Sequence, residues 1–387
     1  MIKHFDSLFA GHVDLDNLGY EGTPVNERWL SDEHLASVFD KTTAIAQLMD
    51  RSGYHTFWMA EHHFQREGYE VIPNLLMMAL HLAHLTERLR FGCGFNVAPM
   101  WHPLRLAEDF AMADILTGGR VTFGIGRGYH TREVESFGAP MMDADFNRER
   151  FEEQAEVIFK AFNERSFKHQ GKHYTLPPSV PYRGYELEDL SLVPRPAHYP
   201  VDCYQPIVSA SARGMDFMAK HGMKGIIGGG AAAGGADPKV VQAWQEALAR
   251  QGRETELGGD LVITYSVWIA DSEQDAMKEV APFFEENVKM FAPLGFVKGL
   301  TSEQIDAAAD PARARGAGLP TIDVAVKNGS WLVGRPERIV EQLKEIEARF
   351  PGCQEINIGH AVGTPQKYIL EQLDLFAKHV MPAFGRA

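Results

Sequence analysis

The sequence predicts a (β/α)8 TIM barrel carrying insertions, on three observations. Short apolar runs alternate with helical patterns through almost the whole chain, eight times in all. The runs are continuously apolar, as strands are when both of their faces are covered. The ends of successive runs gather titratable and glycine-rich residues, which is where a barrel enzyme keeps its chemistry. A chain of 387 residues, 45% of them hydrophobic, can bury such a core as one domain spanning 1–387.

The stretch KHFDSLFAG opens as the first strand. Leu35, Val38, Phe39, Thr42, Ile45 and Met49 then recur at helical spacing, and Gly53 stands where a left-handed residue ends a helix. YHTFWMA is the second strand and NLLMMALHLAHLT its helix. LRFGCGFNVAP is the third, followed by HPLRLAEDFAMADIL, a helix with proline in its first turn. RVTFGIGRGY is the fourth, followed by the acidic-faced helix NRERFEEQAEVIFKAFN. QPIVSAS, KGIIGGG, LVITYSVWIA and CQEINIG supply the last four strands, each with a helical stretch behind it. Asp237-Pro238 and Thr364-Pro365 both read as a helix cap followed by a first-turn proline. Two stretches break the rhythm and are expected to be insertions at the barrel rim. One is 164–205, rich in proline and tyrosine; the other is 292–333, centred on AADPARARGAGLP, and the wider insertion of about 277–330 is a candidate lid.

Net charge is −14, so the chain lacks the basic face that nucleic acid or an anionic membrane would need. No apolar run is long enough to span a bilayer, and MIKHFDSLFAGHVD lacks the pattern of a secretory signal. The three cysteines, Cys93, Cys203 and Cys353, are odd in number and widely spaced, which predicts reduced thiols in a cytoplasm.

The chemistry-bearing residues fall at strand ends. They are Glu61-His62-His63, Gly94-Phe95-Asn96, Arg127-Gly128-Tyr129-His130, Ser209 to Arg213, and Gly228-Gly229-Gly230. A metal site is not expected among Glu61, His62 and His63, because successive strand residues point to opposite faces. His81 and His84 could share a helix face, but no third ligand lies near them in sequence. An anion site is the stronger reading. GIGRG and SASARG each follow a strand, and glycine and small hydroxylic residues expose backbone N–H groups there. Arg127 adds a cation able to grip a phosphate with two bonds. A turn with a surface arginine explains GIGRG equally well. The spacing does not fit a dinucleotide fingerprint, so a mononucleotide phosphate fits better.

Taken together, FWMAEHHF, FGCGFNVAP with WHPLRLAEDFAMAD, GGRVTFGIGRGYHTREVESFG, VSASARG and FAKHVMPAF resemble the bacterial luciferase-like flavin monooxygenase family. The likeness runs in order along nearly the whole chain and is weakest over 164–205 and 277–330. It implies a barrel that takes reduced FMN from a separate flavin reductase, forms a flavin hydroperoxide with O2 and oxidises a small organic substrate. It further implies that His62, the first histidine of EHH, is catalytic, that Arg127 holds the flavin phosphate and that Ser211 helps bind it. Gly94, Phe95, Asn96, Gly128, Tyr129, Ser209 and Ala212 are the remaining positions implied for the cofactor, with a cis bond at Gly94–Phe95. An imidazole suits the proton chemistry because it titrates near neutrality. His62 and Arg127 are thus expected at one open mouth. His63 is expected to turn away and pack, and Glu61 to orient a neighbour. Ala210 and Gly126 stand where luciferase has an acidic residue and a cysteine, so luminescence is not expected. The aromatic strand ends suit a small, neutral, hydrophobic substrate, and the family favours a homodimer. Three alternatives stay open on this sequence: a deazaflavin-dependent dehydrogenase or reductase, a non-catalytic flavin binder and a divalent-metal hydrolase.

Overall fold

The computed structural model describes residues 1–228, 235–297 and 299–385. Eight parallel strands close on themselves, in the order expected from the apolar runs. They are β1 (His4–Phe9), β2 (Thr56–Met59), β3 (Arg90–Cys93), β4 (Val121–Gly126), β5 (Cys203–Pro206), β6 (Lys224–Ile227), β7 (Leu261–Ile269) and β8 (Glu355–Gly359). Closure comes from β4 and β5, where Cys203 pairs with Phe123 and Tyr204 with Gly124. Around them run α1 (Asp32–Ser52), α2 (Leu75–Ala83), α3 (Pro103–Thr117), α4 (Thr131–Ser136), α5 (Ala144–Asn163), α6 (Ala212–Lys220), α7 (Pro238–Arg250) and α8 (Glu273–Phe291). Three short helices follow, α9 (Ser302–Ala308), α10 (Pro311–Ala314) and α11 (Ile322–Lys327), then α12 (Pro336–Arg349) and α13 (Gln366–His379).

Alternation along each strand divides the core. Outward residues such as Phe5, Phe57, Phe91 and Phe123 pack under the helices. Inward residues fill the lumen, where Trp58, Tyr204, Ile226 and Val262 form a separate layer with Leu8 and Phe95 against it. Trp58 is the centre of that layer. Its ring meets Tyr204 edge-on at 5.0 Å, and its Nε1 donates to Asp6 Oδ2 at 2.9 Å. Gly92 makes room for it, since a Cβ there would lie 2.1 Å from Trp58 Cε3. Below this plug, a cavity of about 340 Å³ opens at the N-terminal end of the barrel, lined by Tyr204, Lys224, Asp260 and Glu355 among others.

Most local expectations hold. Ser31 caps α1 by accepting from His34 N, and Gly53 closes it at φ 83°. Asp237 caps α7 by accepting from Lys239 N at 2.9 Å. Thr364-Pro365 differs, because α13 begins only at Gln366. Thr364 Oγ1 turns back to donate to the Ala361 carbonyl, and Gln366 N is capped instead by Asp14 Oδ1 at 2.8 Å. The stretch 164–205 holds two small antiparallel hairpins before β5 begins. The second interruption begins after Phe291, in line with the break in rhythm at 292, whereas the wider 277–330 segment takes in the unbroken α8 from 277 to Phe291. The interruption ends in a strand the sequence reading missed, Trp331–Gly334, which pairs with the upper half of β7. Of the sixth strand's glycines, Gly229 and Gly230 lie outside the described residues.

The helix α8 is fixed by buried charge. Glu286 Oε1 accepts from Arg28 at 3.1 Å and from Tyr69 OH at 2.5 Å. Its Oε2 accepts from Lys289 Nζ and Gly19 N, both at 2.9 Å. Removing one partner from such a set leaves bare charge in the interior. Glu286→Ala is therefore expected to lower unfolding free energy by about 3–5 kcal/mol. Chemical denaturation checks this, and a change under about 1 kcal/mol would contradict the burial argument.

Candidate active site

The loops that leave the C-terminal ends of β2 and β4 meet around His62. The polypeptide turns sharply after Met59, with Phe64 at φ 61°, and lays His62 on its side against α4. His62 Nδ1 lies 3.2 Å from Glu133 Oε2 and Nε2 lies 3.2 Å from Tyr129 OH. Tyr129 OH donates to Glu70 Oε1 at 2.7 Å, and His130 Nε2 is 2.9 Å from Glu70 Oε2. Gln65 Nε2 donates to Glu133 Oε1 at 2.9 Å, and Arg132 anchors the same loop through Glu67. The directions agree with one protonation state. A charged His62 donates from both nitrogens, Tyr129 accepts from it, and Tyr129 donates onward to Glu70.

The electrostatics point the same way. Burial opposes charge on His62, but Glu70, Glu133 and Glu61 outweigh it and push its pKa up to about 9. Burial likewise opposes charge on Glu133, yet the hydrogen bond and charge of His62 hold its pKa down at about 2. Tyr129 is raised by burial and by Glu70, so it keeps its proton.

The expected division of labour within EHH is partly visible. His63 turns to Glu61 Oε1 at 3.1 Å and to the ring of Phe137. Glu61 accepts from Val97 N at 2.7 Å and from Trp101 Nε1 at 2.9 Å, so it fixes the chain after β3. His62 itself is enclosed, with both nitrogens engaged, rather than standing free at the mouth.

The glycines have separate jobs. At Gly124 a Cβ would come within 2.0 Å of the Cys93 carbonyl, so close strand approach requires that glycine. Gly128 has φ 79° and would drive a Cβ into Val134 and Val97. The residues expected to face the lumen at the rim are small: Ala60, Gly94, Gly126, Gly228 and Gly359. A Cβ at Gly126 would lie 3.3 Å from Phe95 Cβ. The Gly94–Phe95 bond is cis. Asn96 is fully buried; its Nδ2 donates to the Gly124 carbonyl, while its Oδ1 has no protein partner among the described residues.

Cations collect on the other side of β4. Arg127 is half-buried and donates to Asn147 Oδ1 at 3.3 Å. Burial lowers its pKa, Arg148 and Arg213 lower it further, and Glu152 partly opposes them. Asn147 Nδ2 has no partner among the described residues. Ser211 caps α6 and accepts from Gly214 N at 3.5 Å, whereas Ser209 and Ala212 are exposed. A Cβ on Gly214 would lie 3.6 Å from Arg148 Nη1, which puts the α6 cap beside that guanidinium. Arg127, Arg148 and the unpartnered Asn147 Nδ2 offer donors to an anion, Arg213 beside them is held by Glu152, and the unpartnered Asn96 Oδ1 offers an acceptor to a polar ring edge. An FMN phosphate and ring fit this set. A cavity of about 940 Å³ adjoins the ends of β5, β6 and β7, lined by Ile207, Val208, Tyr265, Phe284, Phe296 and Ser330 among others. Phe296 also meets the Tyr129 ring edge-on at 5.0 Å, joining this cavity to the His62 network.

A model of the luciferase-like monooxygenase family matches residues 19–351. The chain belongs to that family. It is an oxidoreductase, and relatives are named as monooxygenases, one of them flavin-dependent. The oxygenase component of the flavin-dependent trigonelline monooxygenase of Acinetobacter baylyi is 25% identical over 93% of this chain and 94% of its own. Among solved structures, the oxygenating constituent of 3,6-diketocamphane monooxygenase from Pseudomonas putida, in complex with FMN, superposes with a TM-score of 0.71 at 18% identity, covering 99% of each chain. An F420-dependent secondary alcohol dehydrogenase superposes at 0.64 with 13% identity, again over 99% of both. At such identities the structures speak for the barrel alone.

Luciferase-like family members share the barrel, but sequence reading missed Glu70, Glu133, Gln65 and Arg148. Only Glu133 left a trace, one helical turn beyond His130 in HTRE. The two pKa shifts give opposite pH dependences. His62, raised from 6.5 to about 9, stabilises fully below pH 6.5, and this is lost as pH rises through about 9. Glu133, lowered from 4.5 to about 2, stabilises fully above pH 4.5, and this is lost as pH falls through about 2. Both are complete only between pH 4.5 and 6.5. Histidine NMR should show His62 titrating near 9 and Glu133→Gln moving it down toward 6.5. A wild-type midpoint at or below 6.5 would refute the buried imidazolium.

Proposed function

We propose that the protein is the oxygenase component of a two-component monooxygenase that uses reduced FMN and O2. The observation that carries this reading is the half-buried Arg127, crowded by Arg148 and Arg213 at the edge of a glycine-floored mouth. Glu152 alone answers Arg213 at 2.8 Å and Arg148 at 3.9 Å, and Arg127 makes no ion pair among the described residues, so the surplus positive charge calls for an anion. In this reading Arg127, Arg148, Arg213 and the Ser211 cap of α6 hold the phosphate, while Gly94, Phe95, Asn96 and Gly126 lie under the ring. When bound, reduced FMN supplies the electrons that activate O2 for transfer of one oxygen atom to the substrate. A transient flavin reductase delivers it, as the printed name of the Acinetobacter relative, an oxygenase component, suggests.

The protein's own part is to hold protons. His62 keeps a proton on Nε2 and presents it to Tyr129 OH, whose own hydrogen points at Glu70. That chain, buried at His62 and Glu70 and partly exposed at Tyr129, stands next to the cavity, where it can hold and pass a proton. Ile207, Val208, Phe284 and Phe296 give the cavity an apolar side, alongside charged residues such as Lys327, Arg338 and Arg349, and that side suits the hydrophobic part of a small substrate. The free, buried cysteines suit a reducing cytoplasm. Exposed Met77 on α2 and Met112, Ile115 and Leu116 on α3 offer an apolar face for the homodimer expected of the family.

The test is oxygen uptake with photoreduced FMN and a panel of hydrophobic substrates. Arg127→Ala should weaken FMN binding by about tenfold to a hundredfold. His62→Ala should slow substrate oxidation by about a hundredfold or more while leaving FMN affinity near that of the wild type. Unchanged FMN affinity in Arg127→Ala would overturn the phosphate assignment. Hydride transfer with a deazaflavin and no oxygen uptake would move the protein to the dehydrogenase class.

A further inference from the structure

The sequence argues against a metal at Glu61-His62-His63; in the structure Glu61 and His63 meet at 3.1 Å, while His62 turns away to Glu133 and Tyr129. The fold assembles a different set around the same histidine. His62 and Glu70, eight residues apart on the loop after β2, and His130, just before α4, each offer a ligand atom, and these atoms all lie within 4.8 Å of one another. Glu70 sits between the two imidazoles, with Oε1 3.4 Å from His62 Nε2 and Oε2 2.9 Å from His130 Nε2. All three are buried, at 4%, 1% and 8% exposure. Zinc–nitrogen and zinc–oxygen bonds run about 2.0–2.2 Å, so closing on an ion needs only a contraction of side chains that already converge.

We propose that His62, Glu70 and His130 form a site for a divalent transition-metal ion of the zinc or cobalt type, whose occupancy inhibits the enzyme. Two imidazoles and one carboxylate suit such an ion and are a poor set for calcium or magnesium, which prefer oxygen. The surroundings are those of a built site. Glu133 holds His62 through Nδ1, as a carboxylate behind a metal-binding histidine does, and leaves Nε2 to point at the centre. Gln65 in turn holds Glu133. Tyr129 OH, 3.2 Å from His62 Nε2 and 2.7 Å from Glu70 Oε1, stands where a fourth ligand or a water would go. Inhibition follows from competition at one atom. A metal bonded to His62 Nε2 takes the position of the proton that the proposed reaction uses, and it pulls Glu70 away from Tyr129.

The binding half of this inference is independent of the monooxygenase reading; the inhibitory half rests on it. The experiment keeps the two apart. Chelator-treated full-length protein, without flavin, is titrated with Co2+ and followed by visible absorption, and Zn2+ is then added as competitor. A single equivalent of Co2+ should give ligand-field bands that Zn2+ removes, and Zn2+ should raise the thermal midpoint. Glu70→Gln and His130→Gln should each weaken the ion by at least about tenfold, with circular dichroism confirming that they fold. Absence of Co2+ bands in the wild type, or full binding retained in both folded variants, would overturn the site. In oxygen-uptake assays, micromolar Zn2+ should suppress turnover and chelator should restore it. Turnover abolished by chelator would overturn the inhibitory role. Metal binding with no turnover under any condition would leave the site standing and defeat the monooxygenase reading instead.

Discussion

A positive imidazole sealed inside a protein survives only where carboxylates surround it, and that requirement organises the mouth of this barrel. Glu70 arrives on the loop after β2, and Glu133 on α4 after β4. Neither loop could move far without stripping a charge of its partner. The residue before Glu70 extends the arrangement. Tyr69 reaches the opposite way to Glu286, where Arg28 and Lys289 complete a second buried charge set. One dipeptide thus fastens two clusters together, and through them the loops after β1, β2 and β4 and the helix α8. The stretch from 277 to Phe291, expected as part of a lid, is instead a wall; its buried lysine and glutamate hold it in place.

Much of the barrel was legible because continuous apolar strands leave a strong signal. The strand Trp331–Gly334 escaped notice because it has only four residues. Its trace lay elsewhere, in β7, whose nine buried residues exceed what β6 and β8 need as partners. The overhang is what Trp331–Gly334 covers. Thr364-Pro365 misled for a related reason: a distant carboxylate, Asp14, took the capping role that local sequence would give to Thr364.

The site was less legible than the fold. His62 and Arg127 were found from motifs, but the groups that set their charge come from positions without periodicity. Glu70 lies between a tyrosine and a valine in an irregular loop, and nothing around it signals a buried carboxylate. Arg148 is one of several charges at the start of an acidic helix and looks like an exposed one. GIGRG shows the converse. Its glycines suggested an anion cradle, yet Gly124 and Gly128 are required by neighbouring backbone and side chains, and the arginine between Gly126 and Gly128 carries the charge.

The layer built on Trp58 turns the barrel from a tube into a cup. Among the described residues, that packed tier stands between the rim and the hollow beneath it, which Lys224 and Glu355 border. Traffic to a site above the tier therefore comes from the C-terminal side, past the loops that carry His62 and Arg127, so the same side chains that hold charge there also border the route of whatever enters or leaves.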